Sequence, residues 1–211
     1  MDYLIVIDYQ HLDEPVFLKS LAQSLSELRQ KNGIIVHGDS SYTDRIIQTG
    51  VLSDEARKRS IKDLNNRLVA LFADNGISAV GLNGYQREII RKSENGWQIN
   101  HGYLSSFPDG VQVVLSTLVS GTSENQPEPA PLHEMVDELA TQINFEQIIV
   151  FSKQDAAELF DSDSSPLPFT NHDNGVSSEI LDAHLSPETA KIRSGVVITS
   201  TRKLKDSFTT R

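Results

Sequence analysis

Apolar and polar positions alternate along this chain with two periods. Leu4 to Ile7 is an unbroken apolar run, the mark of a strand covered on both faces. Phe17, Leu18, Leu21, Leu25 and Leu28 then recur at helical spacing, and Lys31-Asn32-Gly33 supplies a helix stop before a second apolar strand begins at Ile34. Another long helix is predicted over about Asp54 to Ala73. Its Ile61, Leu64, Leu68 and Leu71 share one face, while Arg57, Lys58, Arg59 and Lys62 form its solvated side. That helix stops at Asn75-Gly76, and Ser78 to Leu82 reads as a third buried strand. Arg87 to Arg91 and Trp97 to Asn100 flank Glu94-Asn95-Gly96, which is hairpin chemistry.

The pattern continues with a strand over Val111 to Leu118 and a polar, proline-containing connection over Ser120 to Pro131. Leu132, Met135, Val136 and Leu139 predict a helix, and Gln147 to Phe151 a further buried strand. Asp161 to Asn174 lacks periodicity and reads as a loop. Ile180 to Ala190 is helical in character with a break at Pro187, and Val196 to Thr199 is a last short strand. Strands alternating with helices in this way predict an α/β protein, a three-layer α/β/α sandwich around a mostly parallel open sheet. The expected organisation is one domain over 1–211, with lobes of about 1–120 and 121–211 meeting at the polar connection. Ligands of such sheets sit beyond the carboxyl ends of strands. Those ends are Asp8-Tyr9, His37-Gly38-Asp39, Asn83-Gly84, Ser116 and Ser152-Lys153.

Composition narrows the function classes. At 211 residues and 38% hydrophobic content the chain can bury a sizeable core. Its lack of cysteine rules out disulfides and thiolate metal sites. A formal net charge of −10 argues against a nucleic acid and against a membrane surface as partner. The opening MDYLIVIDYQ has neither the basic nor the long apolar region of a signal peptide, and no run reaches the length of a membrane span, so a cytoplasmic location is expected.

The richest stretch is Ile34 to Gly50, a strand that turns at a glycine into a helix. Amides at such a turn make an anion cradle. Here the cradle has a single glycine, Gly38, followed by Asp39, Ser40 and Ser41, and the carboxylate of Asp39 repels an anion. The same residues also read as a helix N-cap supported by Asp44. Asp8 is either a solvated strand-end carboxylate or a metal ligand or base. His37 reads as a packed histidine donating to a backbone carbonyl. The other histidines lack ligand spacing, so no metal site is predicted, and neither Ser116 nor Ser152 has the neighbours of a nucleophile.

The order VIDYQ, IIVHGDSSYTDRIIQTGV and LNNRLVALFADNGISAVGLNG resembles the N-terminal lobe of acetylglutamate kinase, in the amino-acid kinase family. The family pattern is a first strand ending in Lys-Tyr-Gly-Gly, a VHGGGP turn, a helix of VNK-like pattern and an AVGLSG strand end. Further on, IIVFSKQDAAELF resembles the family's LILLTDVDGVLD segment. DNGVSSEILDAHLSPETAKIRSGVVITS resembles its GGM, lysine and helix segment. The resemblance implies an amino-acid kinase-like domain, with an acyl amino acid bound in the first lobe and ATP in the second. It implies substrate contacts at Gly38, Asp39, Ser40, Asn83 and Gly84, nucleotide contacts at Ser152, Lys153 and Asp155, and pairing of two copies through the long helix.

Phosphoryl transfer depends on cations and preorganised donors, and this chain departs from the family there. The first-strand lysine is matched by Asp8, the two glycines after it by Gln10 and His11, and the second catalytic lysine by Glu179. The Asn-Ala-Asp signature falls near Pro131, Leu132 and His133, and the aspartate of the TDV segment on Lys153. The expectation is therefore an acetylglutamate kinase-like protein degenerate in phosphoryl transfer, a homodimer that binds a small acyl amino acid or acts as a regulatory or structural subunit. The alternative is an active kinase of arginine biosynthesis, using ATP and Mg²⁺. Its cations would come from Lys153, Arg87 or Lys191, and its metal would be held by Asp8 or Asp155.

Overall fold

Tyr3–Ile7 is buried at every position because both faces of the strand it forms are covered. The computed structural model describes residues 1–28, 31–94, 96–121, 126–153 and 183–208, together with the backbone of 167–169. Its elements begin β1 (Tyr3–Ile7), α1 (Pro15–Ser26), β2 (Gly33–His37), α2 (Tyr42–Ile47), α3 (Ser53–Asp74), β3 (Ala79–Asn83), β4 (Ile90–Ser93) and β5 (Gly96–Ile99). They continue α4 (His101–Leu104), β6 (Gln112–Ser116), β7 (Leu118–Ser120), β8 (Pro127–Pro129), α5 (Leu132–Gln142), β9 (Gln147–Phe151), β10 (Leu167–Phe169) and β11 (Val196–Thr199).

The main sheet has the order β10-β11-β9-β1-β2-β6-β3. All its pairs are parallel except β10 with β11, so the predicted mostly parallel sheet is present. Alternate residues of β1 serve opposite layers. Tyr3, Ile5 and Ile7 pack with Phe17, Leu21 and Leu25 of α1 and with Leu64, Leu68 and Phe72 of α3. Leu4 and Val6 face Leu132, Met135, Val136 and Leu139 of α5 on the other side. Each such side chain contributes about 1.5–3 kcal/mol by leaving water. The leucine stripe of α3 is thus used on its own sheet, and Leu71 alone among Leu64, Leu68, Leu71 and Phe72 stays half-buried.

Helix α3 ends as its sequence predicts. The Ile77 amide donates to the Phe72 carbonyl and the Gly76 amide to that of Ala73, while Gly76 takes a φ of 70°. That pairing satisfies the last carbonyls and needs the left-handed conformation that glycine adopts without strain.

Five readings differ from expectation. Helix α1 stops at Ser26, and separate turns carry Leu28 into the core at 6% exposure, so the apolar spacing outruns the helix. The strand expected over Val111 to Leu118 divides at Thr117, whose amide donates to the His37 carbonyl while its own carbonyl accepts from Ala130. Beyond it, β7 joins a second sheet of order β5-β4-β7-β8. The expected connection Ser120 to Pro131 supplies β8, paired antiparallel with β7. Its two prolines suit an edge, where a missing N–H breaks no ladder. Finally, β10 lies inside the stretch read as loop. Of the helix expected over Ile180 to Ala190, the described part is helical only at 183–184, before a 3₁₀ turn over Thr189–Lys191.

The turn after β3 is set by packing. A Cβ at Gly84 would stand 2.8 Å from the Leu118 carbonyl oxygen and 3.3 Å from side-chain carbons of Ile90 and Val119. Gly84→Ala is therefore expected to destabilise the fold by about 1–3 kcal/mol. A lowered urea midpoint with an unchanged slope would register this, and an unaltered midpoint would show that the second sheet yields. Among the described residues no helix is long and apolar enough to cross a membrane.

Candidate functional site

Strands β1, β2 and β6 end side by side, and the segments leaving them line a cleft of about 480 Å³. Tyr9, Gly38, Asp39, Arg57 and Thr117 form one side, and Pro131, Leu132, His133, Glu188 and Lys191 the other. A smaller groove of about 360 Å³ lies between α1 and α3. The cleft stands where an open α/β sheet places its ligand.

Each side of the cleft carries a carboxylate paired with a nitrogen base. Arg57 Nε donates to Asp39 Oδ2 at 2.9 Å, so one residue of the predicted solvated face of α3 instead reaches the cleft. Opposite, Glu188 Oε1 accepts from His133 Nδ1 at 3.0 Å and from the His133 amide at 3.4 Å. Burial alone would raise the Glu188 carboxyl. The His133 hydrogen bonds and the charges of His133 and Lys191 outweigh it and hold the group below the usual range. Tyr9, 43% exposed, is shifted upward by burial and by Asp44, Asp39 and Asp13 around it.

Entry to α2 differs from the expected self-capping turn. Asp13 Oδ2 accepts from the Tyr42 amide at 3.1 Å and from Ser41 Oγ at 2.6 Å, while Arg45 Nη2 donates to Asp13 Oδ1 at 3.0 Å. Ser40 is fully buried, and its hydroxyl also accepts from the Tyr42 amide, at 3.2 Å. Of the predicted substrate contacts, Gly38 and Asp39 line the cleft while Ser40 serves this turn. Asn83 is held elsewhere, its side chain accepting from Ser116 Oγ at 2.8 Å and its amide donating to Gln86 Oε1 at 2.8 Å. Gly84 is the close packing point described above.

Asp8 is neither solvated nor among the residues lining the cleft. It is 1% exposed, and its Oδ1 meets His11 Nδ1 at 2.6 Å while accepting from the amides of Gln10 and His11. His11 Nε2 lies 3.1 Å from the Ser152 carbonyl, which only accepts, so that nitrogen carries a proton. Burial would raise the Asp8 carboxyl, but the hydrogen bond and charge of His11, with Ser186 and the His11 amide, hold it below its ordinary value. Among the described residues no donor stands within hydrogen-bond distance of Asp8 Oδ2.

At the end of β9, Ser152 Oγ lies 2.9 Å from His184 Nδ1, and the Lys153 amide donates to the His184 carbonyl. Burial, and then the charge of Lys153, lower His184. Neither Ser152 nor Lys153 lines the cleft, and Asp155 and Glu179 lie outside the described residues.

His37 is the packed histidine its sequence context predicts. Its Nδ1 donates to the Gly38 carbonyl at 2.9 Å, which leaves Nε2 to accept from Asn65 Nδ2 at 3.1 Å. Burial pushes its pKa down to about 4, so the ring is neutral. Asn65 Nδ2 also reaches the carbonyls of Val114 and Leu82, tying α3 to the sheet.

Sequence reading missed His11, Thr117, His133 and Glu188 as parts of connected sites. Only the position of Asp8 three residues before His11 offered a local signal; His133 and Glu188 are far apart in the chain. Among the described residues no group of three or more acidic, histidine or cysteine side chains could hold a metal ion. The cleft lining combines the carboxylates of Asp39 and Glu188 with the cations of Arg57 and Lys191.

No family model matches the sequence, and no curated protein is similar to it. Solved structures are similar. The protein smu.665 from Streptococcus mutans UA159 shares 13% identity at a TM-score of 0.62, over 96% of this chain and 90% of that one. An isopentenyl phosphate kinase in its substrate complex shares 10% identity at 0.57, over 95% and 91%. An aspartate kinase from Synechocystis shares 13% identity at 0.57, over 72% of this chain and 28% of that one, so the chain spans about a quarter of that kinase's length. The likeness is one of fold, and this chain has the amino-acid kinase fold.

Proposed function

We propose that this chain is an acetylglutamate kinase-like protein that has given up phosphoryl transfer and holds a small acyl amino acid in the cleft beyond β1, β2 and β6. The observation that carries this reading is the end of β1. Where the resembling family has a lysine, Asp8 turns its carboxylate back onto His11 inside the core. No cation is offered to a transferring phosphoryl group from that position, and loss of one preorganised donor raises such barriers by about 3 kcal/mol. The cleft itself offers Arg57 and the first turn of α5, a set suited to a compact carboxylate rather than a polyphosphate. Pairing of two copies belongs to the same proposal by resemblance.

Calorimetric titration with Mg-ATP, with N-acetylglutamate and with both together tests the reading. Heat from N-acetylglutamate alone, with none from Mg-ATP at millimolar concentration, is the expected result. Micromolar binding of Mg-ATP with turnover would overturn it in favour of an active kinase.

A further inference from the structure

Helices α1 and α3 cover the same face of the main sheet, and the groove of about 360 Å³ between them is floored by leucine. Leu12, Leu64 and Leu68 are buried, whereas Leu18 and Leu71 stay half-buried and keep part of their apolar surface in water. Ala70, exposed on α3, is the smallest side chain of the lining. A space of this size and lining suits a small molecule with an apolar body and one or two polar anchors.

The charged groups divide between two ends of the groove. Arg67 and Asp13 meet at Tyr42: the Arg67 guanidinium carbon stands 5.8 Å from the centre of the Tyr42 ring, and Asp13 Oδ2 accepts from the Tyr42 amide at 3.1 Å. Asp13 is already engaged, since Arg45 Nη2 donates to its other oxygen at 3.0 Å and Ser41 Oγ donates to Oδ2. Arg67 has no carboxylate partner among the described residues, so Arg45, Arg67 and Asp13 together leave a positive surplus at this end. Asp74 follows two helical turns after Arg67, about 10 Å along α3, and puts a negative charge at the far end. Leu68, Leu71 and Leu18 fill the interval.

We propose that this groove binds an amphiphilic monocarboxylate, with its head group on Arg67 and its alkyl tail along Leu68, Leu71 and Leu18. The distribution of charge selects the class. A cationic head is repelled by the surplus at Arg67, and a second carboxylate on the tail is repelled by Asp74. The same repulsion separates this ligand from the polar acyl amino acid assigned to the cleft. Covering Leu18 and Leu71 supplies the affinity, and Arg67 sets the direction in which the tail lies.

The test is an amide NMR titration of the full chain with decanoate below its micelle concentration, with hexanoate and decylammonium as comparators. It uses the natural protein, Arg67→Gln and Ala70→Phe. Decanoate is expected to shift Leu18, Arg67 and Leu71. Hexanoate is expected to bind about tenfold more weakly, the scale of a few half-buried methylenes. Arg67→Gln is expected to weaken decanoate about fivefold, the upper end for an exposed ion pair. Ala70→Phe fills the groove and is expected to abolish the shifts at Leu18 and Leu71. Decylammonium binding as tightly as decanoate, or no shift along the groove of the natural protein, would overturn the proposal. Shifts confined to the cleft would do so as well. Groove resonances that move with protein concentration before any decanoate is added would also overturn it, since a second copy of the chain would then cover the leucines. Arg67 and Ala70 are exposed, so both variants are expected to fold, and the comparison of the three probes on the natural protein decides the matter without them.

Discussion

Asp8→Ala is expected to lower the free energy of unfolding by about 3 kcal/mol, because it removes one partner of a buried ion pair. The Asp8 carboxylate receives three donors, two of them backbone amides that open the 3₁₀ turn His11–Asp13. Alanine would strand those amides and leave His11, 1% exposed, facing an empty acceptor position on one side and the Ser152 carbonyl on the other. Asp8→Asn keeps an oxygen for the amides but loses the charge, so a smaller loss is expected. Urea unfolding of the three proteins measures both effects. A loss below about 1 kcal/mol for the alanine variant, the scale of one ordinary hydrogen bond, would mean that the pair adds nothing beyond a turn cap.

Acidification should destabilise the protein in a window set by His37. An ordinary histidine takes a proton near pH 6.5, whereas the folded His37 does so only at about 4. Between these values the unfolded chain binds a proton that the folded chain rejects, so stability falls as pH falls. The contribution is fully present above pH 6.5 and is lost by pH 4, a total of about 3 kcal/mol at 1.36 kcal/mol for each pH unit. The lowered carboxyls of Asp8 and Glu188 act in the same direction but further toward acid, below their unfolded values. Unfolding free energies of the natural protein and His37→Gln, measured from pH 7 to pH 4, are expected to differ in slope. The glutamine variant starts less stable but declines less. Parallel curves would mean that His37 accepts its proton without disturbing Asn65 and Gly38.

Much of the architecture was legible from residue order. The four-residue apolar run of β1 announced a strand buried on both faces, and Asn75-Gly76 announced the close of α3, because both signals depend on neighbours in the chain. The apolar continuity of Val111 to Leu118 concealed the change of sheet at Thr117. Both β6 and β7 are buried, so hydrophobicity is the same on either side of the break. The lining of the cleft was partly legible. Gly38 and Asp39, singled out by their place between a strand and a helix, line the cleft, whereas Asn83 and Gly84, singled out as a strand end before a hairpin, are held by Ser116 and by close packing.

The sequence by itself determined the alternation of strands and helices, the absence of thiol chemistry, and the carboxylate at the end of β1, since these follow from residue type and short-range spacing. Only the tertiary structure decided that Asp8 faces His11 rather than solvent, that Arg57 reaches Asp39, and that Glu188 meets the start of α5. Those partners lie from three to more than fifty residues apart, and what joins them is the convergence of strand ends at one edge of the sheet. Charge pairing and burial act through space, so their outcome is written in the packing of β1, β2, β6 and α5 rather than in any one segment.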